Sequence, residues 1–156
     1  MQNEKESEKK FLKYFEEKVR NSGWYTLIEM KPLIDENVKV EIDVAEKHKQ
    51  AFGTAHGGVI ASILDSAAGL VVNRELLRRG KIAVTAEIKV NYLKPVRSGK
   101  LVAEGKIVSI GSKIAVSTAE ARQDGDVVAI ATATFYIMDA PPGLKQLVEK
   151  FGYEVC

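Results

Sequence analysis

With 156 residues, 46% of them hydrophobic, the chain is long enough to bury a core of its own without disulfides or structural metals. Its 23 basic and 21 acidic residues leave a formal charge of +2, too small and too dispersed to mark a nucleic-acid or anionic-membrane surface. Cys156 is the only cysteine, which excludes an intrachain disulfide and points to a reducing, cytoplasmic compartment; two histidines add too little for a zinc centre.

Residues from about 4 to 20 mix charges with Phe11, Phe15 and Val19 at helical spacing, so an amphipathic helix is expected there, ended by Asn21-Ser22-Gly23. That charged beginning lacks the apolar centre of a signal peptide. Trp24 to Ile34 is aromatic and β-branched and reads as a first strand, with Pro32 suggesting an edge or a break. Val38, Val40, Ile42 and Val44 alternate with Lys39, Glu41 and Asp43, the signature of a half-buried strand. A polar loop carrying His48, Gln50 and Gly53 follows.

After His56-Gly57, the residues from Gly58 to Val72 are small or apolar on every side of a helical wheel, which predicts a helix surrounded by protein. Asp65 is the one ionisable group inside it, and a carboxylate there costs several kcal/mol unless paired, hydrogen-bonded or neutral. The two glycines at the helix start leave N–H groups unshielded at the positive end of the dipole, where a developing negative charge can reach them. The run is shorter than the ~20 residues a bilayer span needs, and Asp65 sits at its centre.

Arg78-Arg79-Gly80 reads as a C-terminal cap. Alternation from Ile82 to Tyr92, from about Lys100 to Ile110, from Lys113 to Gln123 and from Asp126 to Ile137 predicts four further strands, with hairpin turns at Gly111-Ser112 and Asp124-Gly125. Pro141-Pro142-Gly143 interrupts the pattern before a short helix at about 143–151. One domain is therefore expected over 1–156, with its core at about 24–138. Its class is α+β: an antiparallel sheet of about six strands wrapped around one long helix. The motifs of a P-loop, a dinucleotide-binding turn and a serine-hydrolase elbow do not occur.

Gln50-Ala51-Phe52-Gly53-Thr54-Ala55-His56-Gly57-Gly58, followed by Asp65 and Asn73, resembles the signature of hotdog-fold acyl-coenzyme A thioesterases of the phenylacetate-degradation type. Val84 to Pro95 is similar to the same family, and the likeness extends from about Val38 to Ile137. The resemblance implies hydrolysis of an acyl-coenzyme A (acyl-CoA) to a carboxylic acid and free coenzyme A, with no cofactor beyond the substrate's own coenzyme A. It makes Asp65 the catalytic carboxylate, as base or nucleophile, and Gly57 the N–H that polarises the thioester carbonyl. His56 would support the loop or the thioester oxygen, Gln50 would hold water or substrate, and Thr85 would orient the water.

Coenzyme A binding is implied around Tyr92 and the turn Ser109-Ile110-Gly111-Ser112-Lys113, with Lys94 and Arg97 as further cations. Val59, Ile63 and Ala67 are candidates for the acyl channel. Gly57 and Asp65 are eight residues apart, ~12 Å along one helix, too far for both to reach one thioester carbon. A homodimer, with Gln50 and Gly57 of one subunit facing Asp65 of the other, is therefore expected; the resemblance implies the same arrangement, often with dimers paired into tetramers. The alternatives are a non-catalytic acyl-CoA sensing module and a hotdog-fold dehydratase or hydratase.

Overall fold

The computed structural model describes residues 2–153 and 155; Cys156 lies outside the described residues. Helices α1 (Gln2–Arg20) and α2 (Gly23–Leu27) precede strands β1 (Lys31–Ile34) and β2 (Val38–Val44). The long helix α3 (Gly57–Leu77) leads to β3 (Lys81–Tyr92), β4 (Gly99–Ile110), β5 (Ile114–Gln123) and β6 (Asp126–Asp139), and α4 (Pro142–Lys150) closes the chain. The six strands form one antiparallel sheet in the order β1-β2-β4-β5-β6-β3. Curled around α3, this is the hotdog arrangement. Because β2 and β3 lie towards opposite edges, α3 carries the chain across the whole sheet.

Small residues let the helix sit close. Ala103, Ala115, Ala119, Ala121, Ala131 and Ala133 are buried. A Cβ on Gly105 of β4 would lie 2.1 Å from the Ala67 carbonyl oxygen, so at this contact strand and helix meet backbone to backbone. The buried Ser117 hydroxyl of β5 donates to the Ala68 carbonyl oxygen at 2.8 Å, joining helix and sheet. Gly80, at φ +64°, ends α3 as expected, its N–H bonded to the Leu77 carbonyl. Asp124 and Gly125 both take positive φ and make the tight turn from β5 to β6.

Two expectations need correction. Trp24 to Ile34 is not one strand. Ser22 accepts the Thr26 N–H, and α2 turns Tyr25 into the core; Glu29 at φ +58° then reverses the chain, leaving only Lys31–Ile34 extended. Burial of Tyr25 through a helical turn outweighs the β preference of the segment. Pro32 falls on the outermost strand, β1, where a missing N–H costs least.

Nor is α3 enclosed on all sides. Ile60, Ile63, Leu64, Ala67, Ala68, Val71 and Val72 are buried, whereas Gly58 is exposed and Ser62, Asp65, Gly69 and Asn73 are half-buried. Those five residues recur every three or four positions and make one stripe of the helix. The stripe lies between edge strand β3 and α2, where the curl of the sheet stops short.

Candidate active site

The structure sorts the sequence candidates into two clusters along α3. The first surrounds the helix N-terminus. His56 is the N-cap residue, its Nδ1 accepting the Gly58 N–H at 2.9 Å, so its ring holds the two-glycine turn in place. The Gly57 N–H has no acceptor among the described residues. Tyr92 Oη donates to the Gly57 carbonyl oxygen at 3.0 Å, and the tyrosine ring lies against Gly57 so closely that a Cβ there would meet it at 3.4 Å. Gln50 bonds within its own loop, with Nε2 donating to Thr54 Oγ1 at 2.7 Å and Oε1 accepting the Phe52 N–H at 2.7 Å. Gln50, Gly57 and Tyr92 line one open cleft of about 340 Å³.

The second cluster is Asp65 with Thr85. Thr85 Oγ1 donates to Asp65 Oδ1 at 2.8 Å from the exposed face of β3. Burial pushes the Asp65 carboxyl above its ordinary value, and the Thr85 hydrogen bond opposes that rise. The group is half-buried, so water reaches a carboxylate that is more basic than a surface aspartate. Above it stands α2, whose Trp24 Nε1 donates to Ser62 Oγ at 3.3 Å, one turn before Asp65.

The proposed coenzyme A residues divide as well. Tyr92 pairs with Ala129 and, through it, with Ala121, whereas Ile114, just past the Ser109–Lys113 turn, pairs with Tyr136 and so with Val84. Val84 and Tyr92 are eight residues apart on one strand, ~26 Å. Within one chain the turn is thus at the opposite end of the sheet from Tyr92. Lys94 is engaged by Asp126 at 2.7 Å, which leaves Arg97 and Lys113 exposed as the other candidate cations. Ile63 and Ala67 are fully buried against the sheet and do not border open space; only Val59, half-buried, is left of the three candidate channel residues.

Sequence reasoning missed Tyr25 and Trp24, which periodicity assigned to a strand. Tyr25 is buried beside Asp65 and Ser66, and burial pushes its hydroxyl up to about 12, so it stays protonated. A Ser-Gly pair before two aromatic residues was the available sign of a helical turn.

Residues 52–130 match the thioesterase superfamily model. The chain is 37% identical over 108 residues to a putative esterase of Archaeoglobus fulgidus, covering 67% of this chain and 68% of that one. It is 37% identical over 95 residues to the medium/long-chain acyl-CoA thioesterase YigI of Salmonella typhimurium, covering 53% of this chain and 61% of YigI. The crystal structure of Bacillus halodurans BH2602 with coenzyme A is similar in shape, with a TM-score of 0.71, 28% identity, and coverage of 88% of this chain and 89% of that one. The match spans the α3 N-terminus, Asp65 and Thr85 together, and on it the chain belongs to the thioesterase superfamily and is a thioester hydrolase.

Proposed function

We propose that the protein hydrolyses acyl-CoA esters, with Asp65 as the catalytic carboxylate and Gly57 as the oxyanion donor, at composite sites of a homodimer. The observation that carries the reading is Asp65: a half-buried carboxylate of raised proton affinity, held by Thr85, in a stretch of α3 from Gly58 to Val72 that is otherwise small or apolar. A relative named as an acyl-CoA thioesterase and a similar structure holding coenzyme A support the substrate class.

In the proposed step, Asp65 takes a proton from water as the water oxygen attacks the thioester carbonyl carbon. Charge develops on the carbonyl oxygen, and the free Gly57 N–H at the positive end of α3 stabilises it. The carbon–sulfur bond then breaks, coenzyme A leaves as its thiolate and takes up a proton, and the acid remains. Thr85 holds the carboxylate in the orientation that receives the proton. His56 acts by fixing the turn, and Gln50 by shaping the loop over the cleft.

A second copy of the chain supplies what one chain keeps apart. Strand β3 is a twelve-residue edge with Val84, Thr85, Ala86 and Glu87 exposed, a length that natural proteins pair or cover. Antiparallel pairing of two β3 strands sets the Tyr92 end of one chain beside the Lys81 end of the other, and brings Gly57 towards the second chain's Asp65. The same pairing reunites Tyr92 with a Ser109–Lys113 turn. The test is thiol release from a panel of acyl-CoA esters, followed with a chromogenic thiol reagent. Release that depends on Asp65 supports the reading, and binding without release from any ester would reverse it in favour of a sensing module.

A further inference from the structure

The half-buried stripe of α3 ends in a groove that the catalytic clusters do not use. At Asn73 the gap between β3 and α2 continues into an apolar groove of about 360 Å³, walled by Phe15 and Val19 of α1, Leu70 of α3 and Leu147 of α4, with Tyr25 also on its lining. Tyr25 links the two regions, because it also stands beside Ser66 and Asp65. The volume falls within the range typical of small-molecule sites.

The walls define what the groove can hold. Among the described residues Lys18 is the one charged side chain on the lining, and its place on the exposed side of α1 lets the ammonium reach water. Asn73 is the lining amide, and its hydrogen bonds are made: Nδ2 donates to the carbonyls of Gly69 and Ala83, and Oδ1 accepts the Ala83 N–H at 2.8 Å. A polar ligand would find little to pair with, whereas a flexible apolar chain would lose only contact with water. The walls from α1 and α4 lie outside residues 52–130, the stretch that the thioesterase superfamily model matches.

We infer that this groove is the acyl-chain subsite and selects linear acyl groups of medium length. The inference rests on the acyl-CoA reading above. A thioester carbonyl at Asp65 places the acyl chain along the half-buried stripe of α3 towards Asn73, which lines the groove. Leu70 lies ~7.5 Å and Leu77 ~18 Å beyond Asp65 along the helix axis, so the groove begins several carbons from the carbonyl. Short acyl groups do not reach it.

The experiment compares kcat/KM for butanoyl-, octanoyl- and dodecanoyl-CoA in the wild type, Val19→Trp and Leu147→Trp, with folding checked by circular dichroism. Val19 and Leu147 are half-buried, and in each variant an indole fills the groove. Each methylene entering the groove contributes about fourfold, the equivalent of ~0.8 kcal/mol, so octanoyl, whose last two carbons reach it, should exceed butanoyl by roughly fifteenfold in the wild type. In both variants that ratio should fall at least about tenfold. Folded variants that keep the wild-type chain-length profile overturn the inference.

A second arm needs neither variant nor turnover. Decanoate carrying a photoreactive diazirine at its methyl end is irradiated with the wild-type protein and the labelled peptides are sequenced. Labels on α1 or α4 support the groove, and labels confined to other elements overturn it. If the panel releases no thiol while the diazirine labels α1 or α4, hydrolysis fails and the groove stands. If thiol is released but chain length and labelling ignore the groove, the reverse holds.

Discussion

At the scale of single residues the site rests on opposing effects at Asp65. Burial disfavours its charge and the Thr85 hydroxyl favours it, with burial the larger. The acid limb of kcat/KM should therefore lie above the ordinary carboxylate range, and Thr85→Val, which removes the opposing hydrogen bond, should move that limb further up. Asp65→Asn should lower turnover by at least ~100-fold in a folded protein, the scale of a lost catalytic base. The same substitution should raise stability at neutral pH. The folded state binds the Asp65 proton more tightly than the unfolded chain does, so stability falls as pH rises from the ordinary carboxylate value through the raised one. The Tm advantage of Asp65→Asn should accordingly shrink as pH is lowered through that interval, and a Tm difference independent of pH would contradict this account. His56 has a different job. His56→Ala removes the cap on the Gly58 N–H and should cost about 1 kcal/mol in urea denaturation.

Among the elements, α3 and β4 meet backbone to backbone. A methyl on Gly105 would meet the Ala67 carbonyl carbon at 2.7 Å and its oxygen at 2.1 Å, and neither is the mobile end of a side chain. Gly105→Ala must push α3 away from the sheet, which typically costs about 1–3 kcal/mol. Because Asp65 rides on α3 and its partner Thr85 on β3 of the sheet from which α3 would be pushed, the variant should also lose turnover at temperatures where it is still folded. Equal loss of stability and full retention of kcat would show that the Asp65–Thr85 distance tolerates the shift. Helix α2 illustrates the converse. Its five residues have little helix strength of their own, and it forms because Tyr25 is buried beside Asp65 and Ser66.

For the whole molecule, the β3 edge, unpaired among the described residues, and the separation of Gly57 from Asp65 lead to one prediction. Refolding Asp65→Asn together with Gly57→Pro should restore activity, since in each mixed dimer one site collects both lesions and the other neither. About half the sites of the mixed species should then work. Proline is tolerated at the first position of a helix, and Gly57 occupies that position, so the second variant should fold. Mixed dimers that stay at the activity of the separate variants would place the site within one chain. Among the described residues no helix is long and apolar enough to cross a membrane.

The sequence by itself determined the class of fold, the four strands after α3, both ends of that helix and the His56-Gly57-Gly58 and Asp65 motifs, because local periodicity, glycine geometry and cap chemistry are written within a few residues of one another. Tertiary structure alone decided what depends on distant neighbours. Tyr25 turned helical to reach α3, Asp65 proved half-buried because the sheet stops at β3, and Ile63 and Ala67 faced the sheet rather than open space. It also set Tyr92 apart from the Ser109–Lys113 turn, and set the groove between α1 and α4. A helix that is small and apolar all round carries no mark of which side the sheet will cover. That choice is made by where Gly105 admits the helix backbone, a contact between residues 38 positions apart in the chain.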